Sequence, residues 1–144
     1  MHTNGSENPT ASQFPFFPPP YAPIMPTRPH VLAVSPGDPL GIGPEITVRA
    51  IHTFLKHTTH LRYLVFGSHG LLEAAAELSG LAPFWSVTAN PPRQWPRRER
   101  VIVVDDGALN PESLLPLPPA PTAEGGRVSL QWVEQAIRSA RGST

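Results

Sequence analysis

The sequence predicts an α/β domain, with helices layered on a parallel sheet, joined to a Pro-rich tail. Three observations predict it. Short β-branched runs alternate with segments of helical periodicity, each run is closed by Gly, Pro or Asp, and proline is crowded at one end of the chain. Of 20 prolines in 144 residues, eight fall between Pro9 and Pro29 among Ser, Thr and Gln. Such a stretch buries too little apolar surface to offset its ordering entropy. Residues 1–29 are therefore expected to be a disordered or extended tail, and residues 30–144 to fold.

The elements follow in order. Val31–Val34 is an apolar run bounded by Pro29 and by Ser35-Pro36-Gly37, as in a buried parallel strand. Glu45 to Leu55 carries Ile46, Ala50, Ile51, Phe54 and Leu55 at helical spacing. Arg62–Phe66 reads as a second strand, closed by Gly67. Ser68 is placed to cap a helix through Leu71, Leu72, Ala75, Ala76 and Leu78 that stops at Gly80. Phe84–Val87 is a candidate third strand, and Val101–Val104 a fourth, ended by Asp105-Asp106-Gly107. Leu109 to Pro121 reads as an irregular connection. A last helix is expected over about Gly126 to Ala140, with Val128, Val133, Ala136 and Ile137 on one face.

Composition narrows the function. Eleven basic and eleven acidic residues leave a formal net charge of zero, so no global field draws the chain to nucleic acid or anionic lipid. Cysteine is absent, which removes disulfides and thiolate metal sites. No run approaches the roughly 18 apolar residues of a membrane span, and the N-terminus lacks the pattern of a secretory signal. A soluble, cytoplasmic protein without nucleic-acid or membrane partners is expected.

The segment that carries most chemical information is Ser35-Pro-Gly-Asp-Pro-Leu-Gly-Ile-Gly-Pro-Glu-Ile46, between the first strand and the first helix. Gly37, Gly41 and Gly43 allow close backbone approaches, Pro44 suits a helix start, and Glu45 faces the positive end of the helix dipole. Main-chain N–H groups in such a loop can meet a phosphate, a carboxylate or the edge of a cofactor. A dinucleotide G-x-G-x-x-G beginning at Gly41 fails, because its last position is Ile46, and no Walker Gly-Lys-Ser/Thr occurs. On residue chemistry alone a plain strand-to-helix turn serves equally well.

The order of residues says more. Gly37-Asp38-Pro39-x-Gly41-Ile42-Gly43-Pro44-Glu45 resembles the opening motif of the 4-hydroxythreonine-4-phosphate dehydrogenase family. More distantly it is similar to the corresponding loop of isopropylmalate and isocitrate dehydrogenases. Ala123-Glu-Gly-Gly-Arg-Val-Ser-Leu130 and the helix after it resemble a Gly-containing helix entry of the same family. The resemblance runs from about His30 to Arg138. It implies part of an isocitrate/isopropylmalate-dehydrogenase-like fold, truncated within an α/β dehydrogenase domain. It further implies NAD(P)-dependent oxidation of 4-phosphooxy-L-threonine, followed by decarboxylation, in pyridoxal phosphate biosynthesis. Implied partners are a phosphorylated small-molecule substrate and, at full length, a second subunit in a homodimer. Gly41, Ile42 and Gly43 are the positions that the resemblance assigns to the NAD or NADP cofactor. Asp38 and Glu45 are expected to orient the loop through its N–H groups.

The family's divalent metal is held by histidines from later in its chain, and none of them has a counterpart here. His52, His57 and His60 lack ligand spacing and an accompanying carboxylate, so surface or packing roles are expected. His69 is expected in a solvated first turn. Asp105-Asp106 is expected to be a turn in preference to a cation site. Arg93, Arg97, Arg98 and Arg100 around Trp95 and Pro96 suggest a solvated loop in preference to a nucleic-acid contact. No catalytic residue is assigned. The isolated chain is expected to be inactive and only marginally stable. The alternative is a non-catalytic product, or an interaction protein using Pro18-Pro-Pro-Tyr21, which fits the Pro-Pro-x-Tyr pattern bound by aromatic grooves.

Overall fold

The computed structural model describes residues 29–110, 112 and 120–142. Nearly all of the expected Pro-rich tail, its Pro-Pro-x-Tyr motif, and most of the Leu109–Pro121 connection lie outside the described residues. The described elements are β1 (His30–Val34), α1 (Gly43–His57), β2 (Leu61–Phe66), α2 (His69–Leu78), β3 (Ser86–Thr88), β4 (Val101–Val104) and α3 (Ala123–Arg141).

All three strand pairs are parallel, and the sheet order is β1-β2-β4-β3. In register, Leu64 stands beside Ile102 and Val65 beside Val103. Successive side chains alternate between faces, and this divides the core in two. Leu64, Phe66, Ile102 and Val104 meet Val128, Trp132 and Ala136 of α3. Tyr63, Val65, Val101 and Val103 meet Val48 and Ile51 of α1 and Leu72, Ala75 and Ala76 of α2. A helical layer therefore covers each face, which is why β2 and β4 read as unbroken apolar runs. Ile102 is fully buried, and its burial contributes about 1.5–3 kcal/mol.

Several sequence expectations shift. The third strand is Ser86–Thr88; Phe84 and Trp85 precede it, 5.0 Å apart in an edge-on contact against the α1/α2 core. The buried face of α3 is Val128, Trp132 and Ala136 at four-residue spacing, while Val133 and Ile137 are exposed. On α1 the buried residues are Pro44, Val48 and Ile51, and Ile46 and Phe54 face outward. Both helices carry more apolar surface than their cores absorb, and the periodicity alone did not rank the two stripes.

Helix ends are settled by chemistry that sequence spacing located only in part. Ser68 occupies the N-cap of α2 without a side-chain cap bond. Instead Asp105, at the end of β4, accepts from His69 N at 2.7 Å. Thr122 caps α3, its Oγ1 accepting from Gly125 N at 2.9 Å. Arg100 does not belong to a solvated patch. Its guanidinium donates to the carbonyls of Leu55 (2.9 Å) and Thr58 at the C-terminal end of α1. Arg62 lies over the Trp95 ring, 5.6 Å from its centroid, leaving Arg93, Arg97 and Arg98 as the loop's outer charges. No described helix is long and apolar enough to cross a membrane.

Candidate functional site

Because every strand runs the same way, the segments that follow β1, β2, β3 and β4 gather at one end of the sheet. In open α/β sheets ligands bind outside this carboxyl end. The loop after β1 is shaped by sterics. Gly37 has φ +80°, a left-handed conformation that side chains disfavour. Gly41 N donates to Asp38 O at 3.0 Å, closing a tight turn, and Leu40 N donates to Asp38 Oδ1 at 3.0 Å. A Cβ on Gly43 would lie 1.8 Å from the carbonyl oxygen of Pro36. The chain therefore crosses itself where α1 begins, and only glycine fits the crossing.

Helix α1 starts at Gly43, with Pro44 as its second residue, so Pro44 stands one place further in than a first-position proline. Ile42 is the N-cap, and no side chain caps this end. The main-chain N–H groups of the first turn consequently keep the polarity that attracts anions. Gly41 and Ile42 line a groove of about 440 Å³ with Asp38, Leu40 and Pro44, opposite Leu71, Ala74 and Leu78 of α2. Gly43 does not line it; its missing side chain serves the crossing. Asp38 orients the loop as expected, through Leu40 N. Glu45 does not, since its carboxylate pairs with Arg49 at 3.0 Å one turn along the helix.

The two sequence motifs meet in space. A Cβ on Gly125 would stand 2.7 Å from Asp38 Oδ1 and 3.1 Å from Thr122 Oγ1. The bare backbone of the α3 entry thus lets the Asp38 carboxylate approach the start of that helix, where the dipole favours it. Gly67, after β2, is packed closely too, its hypothetical Cβ 3.1 Å from Pro36 Cγ. Sequence reasoning found both glycine motifs and did not find that they touch.

The Asp105-Asp106 segment is a turn, as expected. Gly107 has φ +72° and donates to Asp105 Oδ1 at 3.0 Å. Asp106 Oδ2 accepts from Gln135 Nε2 at 2.6 Å and Gln131 Nε2 at 2.9 Å, and Oδ1 accepts from Ala108 N at 3.0 Å. Partial desolvation is the largest single influence on this carboxyl and works upward. The donors from Ala108, Gln135 and Gln131 together outweigh it, so the acid is held below its ordinary range. Among the described residues no group of three or more His, Asp or Glu side chains could hold a metal ion. His52 lies against Phe84, 5.5 Å between ring centroids. His69 is less solvated than expected: its Nδ1 accepts from Trp85 Nε1 at 3.2 Å.

Comparison with known proteins joins this geometry to a family. No family model matches the sequence. A protein of Novosphingobium aromaticivorans, provisionally named a 4-hydroxythreonine-4-phosphate dehydrogenase, is 34% identical over 105 residues, covering 73% of this chain and 31% of its own length. One from Cutibacterium acnes, provisionally named a D-threonate 4-phosphate dehydrogenase, is 31% identical over 120 residues, 83% of this chain and 32% of its own. The crystal structure of a 4-hydroxythreonine-4-phosphate dehydrogenase from Burkholderia phymatum superposes with a TM-score of 0.60 at 22% identity, over 80% of this chain and 33% of that one.

This chain belongs to the 4-hydroxythreonine-4-phosphate dehydrogenase family. A second family structure, from Salmonella typhimurium, agrees at TM-score 0.57 and 26% identity, over 80% of this chain and 34% of its own. The α/β architecture is thus that of the 4-hydroxythreonine-4-phosphate dehydrogenases. The chain spans about a third of the length of the curated relatives it matches.

Proposed function

We propose that this chain supplies the nucleotide-facing loop of a dehydrogenase acting on a phosphorylated four-carbon hydroxy acid. The reaction is NAD(P)-dependent oxidation of 4-phosphooxy-L-threonine, with decarboxylation to 3-amino-2-oxopropyl phosphate, in cytoplasmic pyridoxal phosphate biosynthesis. Carrying the reading is the uncapped start of α1 beside the groove lined by Gly41 and Ile42. Main-chain N–H groups there are preorganised donors for a pyrophosphate or carboxylate. Gly41 permits close approach, Ile42 offers an apolar contact, and Gly43 contributes through its backbone. These residues would hold the dinucleotide, which would supply the hydride acceptor for the oxidation.

A divalent metal does not suit the described residues, which hold no ligand cluster. The chain alone is proposed to be inactive. Polarisation of the substrate oxygen and the grip on its phosphate fall to parts of the longer relatives that this chain does not span, as does any family homodimer built on them. The Cutibacterium relative's name favours D-threonate 4-phosphate as a second substrate of the same chemical class.

Titration of the 144-residue chain with NAD⁺ and NADP⁺, followed by isothermal calorimetry, tests the loop. Weak binding that is lost in Gly41→Val, with the far-UV spectrum retained, is expected. Absence of any heat with both nucleotides sinks the cofactor assignment. Nucleotide reduction by this chain with 4-phosphooxy-L-threonine and added divalent cations sinks the claim of inactivity.

A further inference from the structure

The edge strand β3 is tied to the start of α2 from both of its ends, and the tie at its entry runs through a histidine. At its exit, Asp105 N donates to Thr88 O at 2.9 Å, while the Asp105 carboxylate accepts from His69 N. At its entry, Trp85 Nε1 donates to His69 Nδ1 at 3.2 Å, the two rings edge-on and 6.3 Å apart between centroids. The stretch between α2 and β3 is anchored at Leu81, whose N–H donates to Ala76 O at 2.9 Å. From there Phe84 and Trp85 pack inwards on the α1/α2 core, where they line a small residual void with Val48, Ile51, Leu72 and Val103. A strap of two aromatic side chains thus closes this core, and one imidazole nitrogen latches it.

An imidazole nitrogen accepts a hydrogen bond only while it carries no proton. With Nδ1 accepting from Trp85, the neutral ring bears its proton on Nε2, which lies 3.9 Å from Glu73 Oε2. Protonation at Nδ1 sets two N–H groups against each other and ends the bond. The charged ring has partners of its own: Glu73 faces it from the next turn of α2, and the Asp105 carboxylate sits at its main chain from the end of β4. The His69 side chain is 38% exposed, so a proton reaches it without unfolding. From α1, His52 lies against Phe84, the other ring of the strap. Histidine charge changes fall between about pH 5 and 8. The bond from Trp95 Nε1 to Glu99 O has no such sensitivity, because a main-chain carbonyl does not titrate.

We propose that His69 is a pH-sensitive latch: its neutral ring holds the Phe84–Trp85 strap on the α1/α2 core, and its protonated ring releases the strap and loosens β3. The strand suits such control, since it has three residues and, among the described residues, pairs with β4 alone. Elements with so few cross-strand bonds open at low free-energy cost. At about 100° per residue, His69 and Glu73 lie on the side of α2 opposite Leu71, Ala74 and Leu78, which line the groove of Gly41 and Ile42. The latch is therefore separate from the dehydrogenase reading and does not rest on it.

Nitrogen-15 NMR of the 144-residue chain tests it through the indole N–H resonances of Trp85 and Trp95, assigned with Trp85→Phe and Trp95→Phe. From about pH 8 to about pH 5 the Trp85 resonance should move upfield in one step, while that of Trp95 stays in place. His69→Leu, which has no acceptor, should show the acid position of Trp85 throughout. His69→Asn keeps an acceptor oxygen near the place of Nδ1 and should hold the bonded position throughout. Hydrogen exchange at about pH 8 reads the strand: the amides of Ser86–Thr88 should exchange about two- to tenfold faster in His69→Leu than in the parent, the scale of one hydrogen bond. In His69→Asn they should exchange as in the parent. A Trp85 resonance that does not move overturns the proposal. So does a titration that persists in both His69 variants, which then belongs to His52, or one in which Trp95 moves equally. Equal exchange of the β3 amides in parent and His69→Leu overturns the loosening of β3.

Discussion

Two turns leave the same end of the sheet and are built in opposite ways. The loop after β1 is fixed by backbone: the left-handed Gly37, the turn closed by Gly41, and the self-crossing at Gly43. The turn after β4 is fixed by side chains, with Asp105 bound to His69 N and Gly107 N, and Asp106 to Gln131, Gln135 and Ala108 N. The first leaves a helix start uncapped beside an open groove. In the second, polar capacity is spent on holding the fold together, and no metal cluster forms among the described residues. Polar residues at a strand end do not by themselves mark a binding site; donors left without a side-chain cap are the stronger sign.

The largest expected effect breaks the first turn. Gly43→Ala puts a methyl group within 1.8 Å of a main-chain oxygen, and no side-chain rotation relieves a clash with backbone. A loss of about 3 kcal/mol in urea unfolding is expected, on the scale of overpacking at an unyielding site. A loss under about 0.5 kcal/mol, the range of an ordinary surface change, disproves the crossing.

Next is the junction of the two motifs. Gly125→Ala brings its methyl to 2.7 Å from Asp38 Oδ1, a side-chain atom held by Leu40 N. Partial movement of Asp38 limits the cost to about 1–2 kcal/mol. In an Asp38→Gly background the same substitution should cost far less, since the carboxylate is gone. Equal costs in both backgrounds mean the motifs do not press on each other.

Much of this was legible in the sequence, and the failures have identifiable causes. The glycine loop announced itself because each of its constraints is local: a conformation, a turn, a helix start. The strands β2 and β4 were legible because burial on both faces leaves an uninterrupted apolar run. Trp132 was missed because Val133 and Ile137 offered an equally periodic stripe, and only the sheet decides which stripe is buried. Ser68 was placed at the N-cap of α2, where it stands, but the acceptor for that helix start was missed because Asp105 comes from 36 residues away. Arg100 was read by its neighbours in sequence, whereas its partners, Leu55 and Thr58, lie more than 40 residues earlier. A resemblance singled out this loop, yet it did not distinguish Gly41, which lines the groove, from Gly43, which enables the crossing.

The smallest effects test the second turn. Asp105→Ala removes the cap of α2 and should cost about 1 kcal/mol; a neutral result means that the helix start is satisfied otherwise. Asp106 gives a pH signature. Its folded acidity is held below the aspartate value of 3.8 by hydrogen bonds to the charged form. A depressed folded value means the stabilisation is complete above that unfolded value and is lost as pH falls through the folded one. The group is largely open to solvent, so screening keeps the effect under about 1 kcal/mol. The stability difference between the parent and Asp106→Asn should therefore be constant near neutrality and shrink below about pH 4. If the difference instead grows in acid, the glutamines do not favour the carboxylate, and the turn after β4 is not sealed by them.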